Sequence, residues 1–183
     1  MTTRPSIRRT VTVLAVTGAA ATAVVAGAGA GAASAMPTDF NCASGQVDTT
    51  LVAGDPGAGQ RYASVVFTAK PGDSCTLPGS LPVTLTGADG VTVTADPAAA
   101  DAPPVTVADG APASMLLHWT GIEAPENQVA PASVTVTAPA TTTPRGDTFD
   151  PAITLPWNQG PVDDSAEAHD LAVGPVTAGA PAA

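Results

Sequence analysis

The feature that most constrains this chain is a period-two alternation of aliphatic residues with threonine. Leu81, Val83 and Leu85 alternate with Pro82, Thr84 and Thr86, Val91 and Val93 with Thr92 and Thr94, and Val134 and Val136 with Thr135 and Thr137. Successive side chains of a strand point to opposite faces, so this pattern puts the apolar set on one side and the hydroxyls on the other, as half-buried strands require. Further strands are predicted over residues 46–52, 61–69, 104–107, 112–119, 152–155 and 171–176, nine in all. Asp89-Gly90 and Asp109-Gly110 each stand between two of these runs, and that dipeptide readily supplies the positive φ angles of a tight hairpin. No sustained helical period appears after Met36. The expectation is an all-β chain, an antiparallel β-sandwich of immunoglobulin-like type, formed as a single domain by residues 36–183. The Cys-Trp-Cys order of antibody domains is absent, because Trp119 follows both cysteines.

Composition limits the core such strands can build. Of the residues counted as hydrophobic, 38 are alanine, and only 35 residues in the chain are Val, Leu, Ile or Phe. An extensive aliphatic interior is thereby excluded, and other constraints must contribute to stability.

The N-terminus reads as an export signal. Arg4, Arg8 and Arg9 precede an uncharged stretch that runs from Thr10 to Thr38 and carries Val11, Val13, Leu14, Val16, Val24 and Val25. It ends in Ala32-Ala33-Ser34-Ala35, whose Ala33-x-Ala35 spacing suits a signal peptidase. Residues 1–35 are accordingly read as a signal peptide and Met36 as the new N-terminus, with no stable membrane insertion after cleavage. Arg8-Arg9 lacks the fuller consensus of twin-arginine export, and Asp39-Phe40-Asn41 before Cys42 is no lipobox.

Once these arginines are set aside, Arg61, Lys70 and Arg145 face sixteen acidic residues, a formal charge of −13 for residues 36–183. Such a field repels polyanions and gathers none of the counterions whose release drives nucleic-acid binding, so that function class is excluded. Partners are expected to be neutral or basic, an unidentified protein or a component of the cell envelope.

In an exported chain the only two cysteines, Cys42 and Cys75, read as a disulfide. Closing that loop stabilises the fold by about 3–4 kcal/mol in the chain-entropy model. The alternative, two free thiols in redox or metal chemistry, lacks a Cys-x-x-Cys spacing.

Gly59-Gln60-Arg61-Tyr62, Val65-Val66-Phe67-Thr68, Cys75-Thr76-Leu77, Gly79 and Pro82-Val83 follow one another in an order that resembles a family of secreted actinobacterial domains of unknown function. The later parts of that pattern look like Asp109-Gly110-Ala111-Pro112-Ala113, Met115 to Trp119, and Val173-Gly174-Pro175-Val176, so the likeness covers residues 41–179. Three positions depart from it: Ala69 stands where the family has Asn, its Gly-Tyr-Pro is stretched to Gly79-Ser80-Leu81-Pro82, and a second cysteine pair often seen downstream is missing. The resemblance implies a sandwich fold and export, and brings no catalytic residue with it.

Candidate chemistry is sparse. Gly72-Asp73-Ser74 has the outline of a trypsin-like nucleophile loop, but Cys75 replaces the glycine needed next, and His118 and His169 come too late in the chain. A polar turn before a disulfide cysteine is expected there. Gly54-Asp55-Pro56-Gly57-Ala58-Gly59 resembles a phosphate loop, yet Gln60-Arg61 occupy the Lys and Ser/Thr positions, so it reads as a connection between strands. Met115 and His118 suit copper chemically but fall on opposite faces of one strand, which leaves Met115 for the core and His118 for the surface. Asp163, Asp164, Glu167 and Asp170 beside His169 are the densest acid cluster and read as a solvated face, without a calcium loop. Thr141-Thr142-Thr143-Pro144 reads as a linker.

No catalytic, cofactor or metal residue is therefore assigned. The function expected is that of a secreted, non-enzymatic binding or structural module at the envelope or in the medium. The alternative is an inhibitor of extracellular proteases that presents residues 96–104 as its loop.

Overall fold

The computed structural model describes residues 41–137, 141–142, 148–149 and 152–181; the signal segment, Met36 and Arg145 lie outside them. The described chain is all-β, with strands in several sheets and two short 3₁₀ turns, in keeping with a β-sandwich. The strands are β1 (Val47–Ala53), β2 (Gln60–Ala69), β3 (Ser74–Leu77), β4 (Val83–Thr86), β5 (Thr92–Ala95), β6 (Val105–Ala108), β7 (Ala113–Thr120), β8 (Gln128–Val129), β9 (Ser133–Thr137), β10 (Thr141–Thr142), β11 (Thr148–Phe149), β12 (Ala152–Pro156), β13 (Val162–Asp163) and β14 (Asp170–Ala178). A five-stranded sheet runs β1-β2-β7-β14-β5 and a three-stranded sheet β12-β9-β4, while β3 pairs with β6, β8 with β13 and β10 with β11.

The alternation seen in the sequence becomes the two faces of these sheets. Along β7, Ala113, Met115, Leu117 and Trp119 are buried, and Leu116 between them is exposed. They join Val65 and Phe67 of β2, Leu171 and Val173 of β14, and Val134 and Val136 of β9 in one apolar cluster. Trp119 packs on Trp157 with ring centroids 5.0 Å apart, and each indole N–H donates to a carbonyl, those of Pro161 and Gly160 respectively. Each large aromatic thus contributes its apolar area without stranding its polar atom.

Cys42 and Cys75 are bonded, with Cα atoms 4.9 Å apart. Both are buried in the core, and Cys42 N–H donates to the Thr76 carbonyl, which ties the start of the described chain to β3.

Several expectations are corrected. Asp89-Gly90 does not close a hairpin: β4 pairs antiparallel with β9, whereas β5 pairs parallel with β14, so the chain changes sheets between them. The positive φ belongs to Gly87, and neither Asp89 nor Gly90 has one, so the primed turn that returns a strand onto its predecessor is not formed. The five-stranded sheet is consequently mixed and not purely antiparallel. Asp109-Gly110 does form a tight turn, bridged by Ala108 and Ala111, but β6 and β7 then diverge to different sheets. Ser74 belongs to β3 instead of a turn, because the β6 backbone continues the ladder as far as Ala108 opposite it. Thr141–Thr142 is a short paired strand instead of a plain linker; Thr143 and Pro144 lie outside the described residues.

An inner strand tolerates Pro only at an irregularity, and β14 contains Pro175 between β7 and β5. Val173 pairs with Leu117 and Val176 with Met115, so β14 carries one extra residue there, a bulge that takes up Gly174-Pro175.

Candidate functional site

The outer face of the five-stranded sheet carries an aromatic pair and two exposed large apolar side chains. Directly opposed residues share a face, so the ladder sets Val52, Ser64 and Leu116 in one row across β1, β2 and β7. The next row toward the end of β7 pairs Tyr62 with His118 and continues to Ala172. The rings of Tyr62 and His118 stack with centroids 4.7 Å apart and planes 11° from parallel. Gln60 Oε1 and His118 Nε2 are hydrogen-bonded, which links β2 to the ring from its own side of the ladder.

A depression of about 780 Å³ opens beside Tyr62, lined by Val52, Tyr62, Leu116 and Thr177 together with the bulge at Gly174-Pro175. Val52 and Leu116 are 42% and 46% exposed, large apolar side chains left in water, while Ser64 and Ser114 beside them are nearly closed off. Asp55, from the loop after β1, and Asp96, just after β5, are also among its lining residues. A smaller hollow of about 250 Å³ lies beside His118, lined by Gln60, His118, Thr120, Glu167 and Asp170.

The loop at residues 54–59 frames the larger depression. Gly57 and Gln60 exchange both backbone hydrogen bonds, at 3.1 and 2.8 Å, and the two residues between them, Ala58 and Gly59, have φ of 49° and 83°. This is the primed hairpin turn that matches the twist of β1 and β2, as the reading of a connection between strands requires. A Cβ on Gly59 would come within 2.2 Å of Ile122 Cγ2, so the position is closed to side chains twice over, by φ and by space.

The acid cluster splits. Asp163 is fully buried, contrary to the expectation of a solvated face, and its carboxylate accepts from Ile122 N–H at 3.0 Å, Glu123 N–H at 3.1 Å and Gln128 Nε2 at 2.8 Å. Burial pushes its pKa up, but the backbone and side-chain hydrogen bonds outweigh it and hold the carboxyl below its ordinary value. Its role is to pin the 122–128 loop. Sequence reasoning missed it because nothing in Asp163-Asp164 distinguishes the inward carboxylate from the outward one. Glu167 and Asp170 do line the smaller hollow with His118, while His169 Nδ1 bonds the Ser165 carbonyl. Among the described residues, no group of three or more His, Cys, Asp or Glu side chains is arranged to hold a metal ion.

Met115 lies in the core and His118 on the outer face, as the strand period predicts. Ser114, placed on that outer face by the same period, is only 6% exposed. Ser74 is in the β3–β6 pair and His118 in β7 of the five-stranded sheet. Residues 96–104 do not form an extended loop: the Asp96 carboxylate caps Ala98 N–H at 2.8 Å, Pro97–Ala99 curls into a 3₁₀ turn, and Ala99 is buried.

Compared with known proteins, residues 42–177 match the family model described as Domain of unknown function (DUF4232). No curated protein and no solved structure matches the chain. The match spans most of the sequence, and the chain belongs to that family.

Proposed function

We propose that this member of the DUF4232 family is a non-enzymatic binding or structural module of an actinobacterial cell envelope or culture medium. In this reading residues 1–35 are a signal peptide, and residues 36–183 form one domain of immunoglobulin-like sandwich type. The observation that carries it is the Cys42–Cys75 bond, buried in the core, since disulfides persist in oxidising compartments and are rare in the cytosol. An arginine-rich start followed by an uncharged stretch supports the same route. No helix among the described residues is long and apolar enough to cross a membrane.

Binding is favoured over catalysis because the outer sheet face offers exposed apolar surface beside acidic groups, without an assigned nucleophile and base. The protease-inhibitor alternative is less well supported, because the loop it needs is curled and anchored at Ala99 instead of projecting. Fractionation of the producing cell tests the reading: the protein is expected in the medium or released from the envelope without detergent, beginning at Met36, and retained by washed cells. An intact Met1 in the membrane fraction, or activity of the pure protein that a serine-reactive probe abolishes, overturns it.

A further inference from the structure

The depression beside Tyr62 has a composition that selects a ligand class. Its lining is apolar at Val52 and Leu116, and among the described residues the charged side chains that line it, Asp55 and Asp96, carry the same sign. The field of the chain around them has the same sign, since residues 36–183 have a formal charge of −13 with these two aspartates included. Asp96 is held in place because one carboxylate oxygen, Oδ1, caps Ala98 N–H, which leaves Oδ2 for another donor. The depression is a groove open to solvent along one side, about 780 Å³ in volume, and not an enclosed cavity. The lining crosses β1, β2, β7 and β14, four adjacent strands and hence about 14 Å at the usual strand spacing. About four residues of extended chain cover that distance.

We propose that this trough binds a protein segment that carries a lysine or arginine between aliphatic side chains, a proposal that rests on reading the chain as a binding module. The aliphatic side chains cover Val52 and Leu116, the stem of the cation lies along the same surface, and its head reaches one of the two carboxylates, Asp55 beyond the β1 edge or Asp96 beyond β5. The length of the trough favours a segment over a free small cation, which would reach only one end of it.

The test uses the protein as its host produces it, titrated with the blocked tetrapeptide Leu-Arg-Leu-Ser while the methyl signals of Val52 and Leu116 are followed by NMR. Saturable shifts at those two residues are expected, weaker in high salt and reduced about tenfold in affinity by Asp55→Asn with Asp96→Asn. Asn still caps a helical turn, so the second substitution removes charge without freeing residues 97–99. The proposal is overturned if Leu-Glu-Leu-Ser binds equally well, if the double variant binds as the wild type does, or if arginine amide alone matches the peptide. Retention on washed cells separates the two levels. If wild type and double variant are retained equally, the trough is wrong and the binding module stands; if neither is retained, the module reading fails irrespective of the peptide.

Discussion

Tyr62 and His118 stand directly opposite each other on neighbouring antiparallel strands, their rings stacked 11° from parallel on the outer face of the sheet. A half-exposed aromatic pair of this kind has no core to fill. Tyr62 lines the larger of the two hollows and His118 the smaller. Stacked pairs contribute about 0.5–1.5 kcal/mol beyond the area they bury, and partial exposure puts this one at the lower end. A double-mutant cycle of Tyr62→Ala and His118→Ala is expected to return a coupling of about 0.5 kcal/mol in urea unfolding. Strict additivity would mean that the stacking does not contribute.

Asp163 should govern the acid side of the stability profile. Folding lowers its pKa from the ordinary value near 3.8, so its contribution is present above that value and is lost as pH falls through the lower, folded one. Asp163→Ala strands two backbone N–H groups and the Gln128 amide, at an expected cost of roughly 2–4 kcal/mol at neutral pH. The difference between wild type and Asp163→Asn, followed by thermal unfolding, should shrink as the solution is acidified below pH 4. A difference independent of pH would show that the carboxylate charge is irrelevant to the loop.

Ala58 is the one non-glycine residue with positive φ among the described residues, at 49°. The left-handed region costs an alanine roughly 1 kcal/mol, which Asn tolerates better through its local hydrogen bonding. Ala58→Asn is therefore expected to raise stability by about 0.5–1 kcal/mol, and Ala58→Val to lower it by more. Urea midpoints at unchanged slope check both, and a neutral Val substitution would contradict the turn assignment.

Removal of the Cys42–Cys75 bond by the double Cys→Ala change should cost about 3–4 kcal/mol in the loop-closure model. The comparison is made in denaturant midpoints, with thiol counting before and after reduction of the native protein. Two reactive thiols without reduction would contradict the bond itself.

The strand content was legible because burial on one face of a pleated chain forces a period of two, and threonine on the other face leaves that period visible. It is plainest at Val134 to Thr137. Strand β3 was hidden by its own residues: Ser-Cys-Thr-Leu is short, begins in a polar loop and is held by pairing with β6 instead of by an alternation of its own. The depression was not legible, since Val52, Leu116, Asp55 and Asp96, which line it, are separated in the chain and share no motif.

By itself, the sequence determined the β class, the inward set of Met115, Leu117 and Trp119, the pairing of the two cysteines and the acidic field, because each of these depends on local periodicity, on count or on net charge. Tertiary structure alone decided that β5 leaves β4 to run parallel with β14, that Asp163 turns inward while Asp164 stays half-buried, and that Pro97–Ala99 curls within the 96–104 segment. These outcomes turn on which distant backbone groups become hydrogen-bond partners. A short strand satisfies its ladder equally well with any edge that offers the right spacing, and only the closing of the whole core selects one.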